Sequence, residues 1–189
     1  MAATTEPGTA GTAGAAGATD TSGAAPAAYP PPRLPAPRPG AAWRWRAARA
    51  ADVEPLAELR AVVLRPDLER LGRYDEHRVR QRLRDSFAPR HSHVVLVDGE
   101  LAGCLTVRPV ADGWLLEHFY LVPHRQGRGL GSAVLGAVLS AADAAGVPVR
   151  LTVLRGSAAG RLYERHGFRL VAEDPVDLHL ARRPVPPAA

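Results

Sequence analysis

The chain contains no lysine: every one of its 24 Lys/Arg positions is arginine, a bias read as codon composition rather than phosphate recognition. A P-loop is thereby excluded, because its lysine must reach the nucleotide phosphates. Cysteine is almost absent too. The single Cys104 rules out an internal disulfide and fits a reducing compartment. It stands in the strand-like run "ELAGCLTV" with no His/Asn partner motif around it, so it reads as a small buried hydrophobe, not a nucleophile. The seven histidines are dispersed and none has metal-ligand spacing, so no metal is expected. No apolar run approaches the length of a membrane span, and no membrane partner is expected. Aromatic residues make up only 5%, and the arginines scatter among 19 acidic residues without forming a stripe. Despite a net charge of +5 and a pI near 10.3, nucleic acid is therefore not an expected partner.

Large side chains are nearly missing from residues 1–42, an Ala/Gly/Thr/Pro segment ending in "YPPPRLPAPRPG". Such a segment cannot offset its ordering entropy and is expected to be a disordered tail. It lacks the basic and leucine-rich pattern of a secretory peptide, and its first arginine is Arg33, so the expected location is cytoplasmic. One domain is expected over 43–183, with 184–189 as a disordered end.

Within that domain "WRWRAA" alternates as a first strand. Asp52 is an N-cap candidate for a helix carrying Leu56, Leu59 and Val63, which "RPDLERLGRYD" is expected to break. A second helix starts near Asp75, with Val79, Leu83 and Phe87 as a narrow stripe. "HVVLV" and "LAGCLTVRPV" form a hairpin about an Asp-Gly turn, and "WLLEHFYLV" is a strand ended by Pro123. A glycine loop then opens a helix to about Ala145, whose apolar face holds Leu130, Val134, Leu135, Val138 and Leu139. "VPVRLTVL" reads as a buried strand, "SAAGRLYERHG" as a short helix ended by Gly167, and "FRLVAED" and "VDLHLARR" as closing strands. The class is mixed α/β.

Gly127, Gly129 and Gly131 alternate where a helix is about to start, although glycine inside a helix costs about 1 kcal/mol relative to alanine. The spacing is not a Rossmann fingerprint: counted from Gly127 the last position is Ser132, and from Gly129 it is Val134. What remains is Gln126-x-x-Gly129-x-Gly131 between a strand and a helix. The unpaired N–H groups of a first helical turn form an anion site there, and glycines let a diphosphate come close.

"FYLVPHRQGRGLGSAVL" resembles the acyl-CoA-binding motif Q/R-x-x-G-x-G/A of the GNAT N-acetyltransferases. About thirty residues on, "LYERHGF" resembles that family's second motif, in which a tyrosine opens Y-x-x-x-G-F. The resemblance covers Trp43 to Arg183 and implies the GNAT acyl-CoA N-acyltransferase fold: a central mixed, mostly antiparallel sheet flanked by helices. It implies acetyl-CoA as co-substrate, a primary amine of a small molecule or protein N-terminus as acceptor, direct attack in a ternary complex, and a possible homodimer. The diphosphate would rest on N–H groups of Gln126, Gly127, Gly129, Gly131 and Ser132, with Arg125 and Arg128 adding charge. Backbone groups of Leu121 and Val122 would be free for the pantetheine arm and thioester carbonyl. The family's Asn-x-x-Ala is replaced in "RGSAAG", where Gly156 or Ser157 stands for the asparagine and Ala159 for the alanine.

The resemblance makes Tyr163 the acid that protonates the leaving thiolate. The candidates for the base that deprotonates the amine are Glu117, acting through water, and its neighbour His118, with purely structural roles for both as the alternative. Strand alternation sends those two to opposite faces, unless a bulge swaps them. Two alternatives stay open: a non-catalytic acyl-CoA sensor or interaction module on the same scaffold and, ranked below it, a nucleotide-binding α/β domain.

Overall fold

The alternation of "WRWRA" becomes β1 (Trp43–Ala47), and the helix after it is longer than its sequence signals. In the computed structural model, which describes residues 29–186, α1 runs over Val53–Arg70. It continues through Pro66, so "RPDLERLGRYD" breaks it as expected but only in its second half, after Arg70 and not at the proline. Pro66 has no N–H for the Val62 carbonyl, but Val62 is more than half exposed and water can take that role. Burial of Leu56, Ala57, Leu59 and Ala61, together with Arg65–Glu69 and Arg70–Asp67 pairs, holds the helix through the defect. It ends where Gly72 (φ 64°) lets its own N–H reach Glu69 O at 2.9 Å and Arg73 N–H reach Leu68 O at 2.8 Å. Pro66→Ala is expected to raise stability by about 1–2 kcal/mol, the restored bond being offset by a looser unfolded chain, as thermal unfolding would show. Asp52 does not cap α1. Its carboxylate accepts from Arg49 N and takes both terminal nitrogens of Arg46 at 2.7 Å, one turn earlier.

Helix α2 (Glu76–Ser86) begins on an Asp75 cap whose carboxylate accepts from Arg78 N. It buries Val79 and Leu83 against α1, to which the Arg80–Glu58 and Arg84–Glu54 forks also tie it. The expected hairpin forms from β2 (Ser92–Val97) and β3 (Glu100–Val110), turning at Asp98 (φ 54°) and Gly99 (φ 85°). Then come β4 (Gly113–Leu121), α3 (Leu130–Ala144), β5 (Val149–Leu154), α4 (Ala159–Arg165), β6 (Arg169–Glu173) and β7 (Asp177–Arg182).

The seven strands lie in the order β1-β2-β3-β4-β5-β7-β6. All neighbours are antiparallel except β4 and β5, so the sheet is mixed and mostly antiparallel. One face packs on α3 and α4 through Trp114, Leu116, Val134, Leu135, Val138, Leu151 and Phe168, and the other on α1 and α2 through Leu56, Leu83, Cys104 and Tyr120. Strand β5 is buried on one face only. Arg150 and Thr152 are exposed on the other.

The expected tail divides. Residues 1–28 lie outside the described part, whereas Tyr29 and Leu34 pack against the core and Trp114 Nε1 donates to Pro30 O at 2.8 Å. The segment directly before β1 is thus held on the sheet, a contact that its poor hydrophobicity does not announce. At the other end Val185 N–H donates to Asp143, and 187–189 lie outside the described residues. No described helix is long and apolar enough to cross a membrane.

Arg182 grips Asp143 with two bonds of 2.7 and 2.9 Å, joining β7 to the end of α3. Partial burial opposes ionisation of Asp143, yet the Arg182 fork and the Val185 amide hold its carboxyl below the usual range. A depressed folded-state pKa means stability that is present above the unfolded value, near pH 4, and lost as pH falls through the folded one. Asp143→Asn is expected to lower the melting temperature at pH 7 and to flatten its decline below about pH 4, as a pH series of thermal melts would reveal.

Candidate active site

Strands β4 and β5 pair only at Trp114–Val149, Leu115–Arg150 and Leu116–Leu151. Past Leu116 they part, and everything the sequence singled out lies around that gap.

The glycine loop leaves β4 at Pro123 and reaches α3 at Leu130. Gly127 (φ 70°) and Gly129 (φ 84°) sit in the left-handed region, and a Cβ built on either would meet nothing within 4 Å. Their glycine requirement is therefore conformational, and the side facing away from the protein is open. Gly129 is the N-cap of α3 and has no side chain to cap it. The first helical bond is Ala133 N–H to Gly129 O, and none of the N–H groups of residues 127–132 is bonded to another described group. Gln126 is different: its N–H is used on Pro123 O and its side chain donates to Leu121 O at 2.8 Å. The expected amide set thus loses Gln126 and gains Arg128 and Leu130. Arg128 is exposed, and Arg125 leans 3.4 Å from Asp98.

The edge expected at Leu121 and Val122 is only half available. Val122 N–H donates to Ala102 O, and its carbonyl accepts from Arg125 N–H, so Val122 is committed on both sides. Because backbone direction alternates along a strand, the Leu121 amide points the other way, into the gap. Ser157 faces α4: its hydroxyl oxygen accepts weakly from Ala159 N–H at 3.4 Å, and its carbonyl accepts from Gly160 N–H.

Tyr163 enters the gap region from α4 with its ring edge-on to Phe168 at 5.7 Å. It is nearly buried, yet its hydroxyl makes no hydrogen bond among the described residues and is not enclosed. Burial, reinforced by Tyr120, raises its phenol well above the ordinary value.

On the opposite face, alternation fails where it was expected to hold. His118 has φ 49°, and the β3–β4 register slips between Cys104–Tyr120 and Thr106–Glu117. This bulge places Glu117, His118 and Tyr120 together on the α1/α2 side. Glu117 Oε2 accepts from Arg108 Nε at 2.6 Å, leaving the other carboxylate oxygen free. His118 is held at both nitrogens: Nε2 lies 3.0 Å from Ser86 Oγ, and Nδ1 lies 3.5 Å from Tyr120 Oη. Ser86 donates its own proton to Arg82 O, so His118 Nε2 must be the donor, which leaves the Nδ1 lone pair facing the tyrosine. Burial, followed by the Arg60 charge, drops the His118 pKa to about 4. His118 is therefore neutral at pH 7 and its basic atom is occupied. Arg60 Nη1 donates to Tyr120 Oη at 2.6 Å, and burial pushes that phenol up to about 12. Beneath them Cys104 donates to His118 O at 3.1 Å, with its thiol pushed up to about 12 by burial, which makes it the inert hydrophobe its sequence context implied. The bulge and Arg60 were invisible to pattern reading. The only signal was a basic residue on an otherwise apolar helical turn.

Among the described residues no group of three His, Cys, Asp or Glu side chains is placed to hold a metal. What the gap offers is a row of bare amides at one end, a protonated phenol inside, and a carboxylate on the far face.

The acetyltransferase (GNAT) family model matches residues 56–168. Among solved structures the chain is similar to PaiA N-acetyltransferase from Thermoplasma acidophilum in complex with coenzyme A, at 19% identity and a TM-score of 0.62, over 76% of this chain and 99% of that one. It is similar to the ribosomal-protein-S18-alanine N-acetyltransferase from Escherichia coli at 19% identity and a TM-score of 0.58, over 78% and 96% of the two chains. N-acetylglutamate synthase from Neisseria gonorrhoeae, complexed with coenzyme A and L-arginine, matches at 22% identity and a TM-score of 0.54, over 76% of this chain and 34% of that one. At such identities the likeness is one of fold. No curated protein matches the chain.

Proposed function

Because the chain belongs to the GNAT acetyltransferase family, we propose that it moves the acetyl group of acetyl-CoA onto a primary amine by direct attack in a ternary complex. The observation that carries this reading is the run of unbonded amides over residues 127–132 at the mouth of the β4–β5 gap. The coenzyme's diphosphate lies on those amides at the positive end of α3, and the pantetheine arm follows the Leu121 edge into the gap. Arg128 adds a charge from solvent, and Arg125 does so after releasing Asp98.

The amine reaches the thioester carbonyl from the α1/α2 face. Glu117 takes its proton through water, being the carboxylate there with an uncommitted oxygen. His118 serves as a positioning residue, since its lone pair faces Tyr120. The new C–N bond forms as the C–S bond breaks, the developing oxyanion faces the Leu121 amide, and Tyr163 gives its proton to the departing sulfur. The acceptor is a small molecule or a protein N-terminus.

Incubation with acetyl-CoA and a panel of amines, followed by thiol release and product mass, tests the reading. Acetyl-CoA bound without any acetylated amine formed would leave only a binding module. No binding at all would overturn the assignment.

A further inference from the structure

Among the described residues Arg60 has no carboxylate partner, whereas Arg108 beside it has one. Arg108 is satisfied by Glu117, while on the outer faces of the same two helices Arg80 grips Glu58 and Arg84 grips Glu54. Those two grips are alike: Nε donates to one carboxylate oxygen and Nη2 to the other, the side-on fork of the guanidinium. Arg60 spends only Nη1, on the Tyr120 hydroxyl, over whose ring it also lies at 5.8 Å. Its fork is vacant. Among the described residues Nε is enclosed with no partner, and Nη2 makes no hydrogen bond and is not enclosed. A half-buried guanidinium with an orphaned donor lacks the compensation that buried charge requires. Glu117 does not supply it, because Arg108 already neutralises that carboxylate; Arg60, Arg108 and Glu117 together leave a net positive charge beside a neutral His118.

The Arg60 charge is felt throughout the cluster, since it depresses His118 and favours the Tyr120 phenolate. A free ammonium acceptor would meet that same field unfavourably, unless it brought an anion with it. Arg60 stands over Tyr120, beyond the last β4–β5 pair and one residue before the Leu121 edge, so such an anion would lie on the acceptor side.

We propose that Arg60 binds a carboxylate of the acceptor, and that the acceptor is therefore an amine of the amino-acid class. The inference rests on the acetyltransfer reading above. A carboxylate meets Nη2 first, and a side-chain adjustment of the kind common on ligand binding then brings Nε into the second bond. The acceptor's anion answers the surplus charge while its amine faces Glu117.

The test compares amino acids with their carboxamides, and with a peptide lacking any carboxylate near its N-terminus, as acceptors for the full-length protein. The expected wild-type result is a kcat/KM at least about tenfold higher for the amino acid than for its amide, carried in KM. In Arg60→Gln the ratio between the two acceptors should collapse towards one, and Arg60→Lys should restore only part of it, having charge but no fork. A wild-type ratio near one, a preference for the uncharged peptide N-terminus, or a ratio unchanged in Arg60→Gln would overturn the proposal and leave acetyltransfer standing. The wild-type comparison decides even where a variant folds poorly. Failure to bind acetyl-CoA in equilibrium dialysis would remove both readings together.

Discussion

Gly129→Asp is expected to weaken acetyl-CoA binding by at least about 100-fold while leaving the melting temperature nearly unchanged. Aspartate is among the few residues that tolerate the left-handed conformation of Gly129, at φ 84°. Its carboxylate would stand before the unbonded amides of Leu130, Gly131 and Ser132, at the positive end of α3. An anion there stabilises a helix by roughly 0.3–1 kcal/mol, which offsets the strain of adding a side chain. The same carboxylate occupies the donors a diphosphate would use and repels its charge. Binding and stability should therefore move apart, which a merely structural loop does not predict. Titration calorimetry beside thermal unfolding reads both, and wild-type affinity would sink the loop assignment. Valine is a poorer probe. At Gly129 it is strained by the backbone, and at Gly131 its Cβ alone already meets Leu121 and Leu162 side chains at 3.4 Å.

Tyr163→Phe should lower kcat by about 10²–10⁴-fold with the acetyl-CoA dissociation constant unchanged. The hydroxyl makes no bond to another described residue that the substitution would break, and the ring keeps its edge contact with Phe168, so the fold has little to lose. Burial keeps the phenol protonated across the neutral range, which is the form an acid needs when a thiolate departs. The rate of the wild type should accordingly show no alkaline loss from this group until well above the ordinary tyrosine range. A variant with wild-type kcat would remove the acid role and leave Tyr163 as packing.

Much of the site was legible because it is written in backbone requirements. Gly127 and Gly129 announce left-handed positions, and Pro123 announces the end of a strand. The apolar stripe from Val134 to Leu139 announces which side of α3 faces inward. These are local properties, and local periodicity carries them. The helix boundaries failed at Pro66, where long-range burial of Leu56 and Leu59 outweighs a local breaker. The tail boundary failed at Pro30, whose partner Trp114 lies 84 residues away.

The face that carries Glu117 and His118 was the least legible part. Whether Glu117 and His118 share a side depends on one residue of register between β3 and β4, and no periodicity reports a bulge. The proposed choice of base then rests on Ser86, 32 residues away on α2, and on Tyr120, 2 residues along the same strand. By itself the sequence determined the element order, the sheet-and-helix class and the place of the glycine loop, because each follows from short-range spacing and glycine geometry. Only the tertiary structure decided which edge is open, that both His118 nitrogens are occupied and that the half-buried Arg60 lacks a counter-charge among the described residues. Those depend on what distant segments bring within a few ångströms, and charge compensation is a property of neighbours in space.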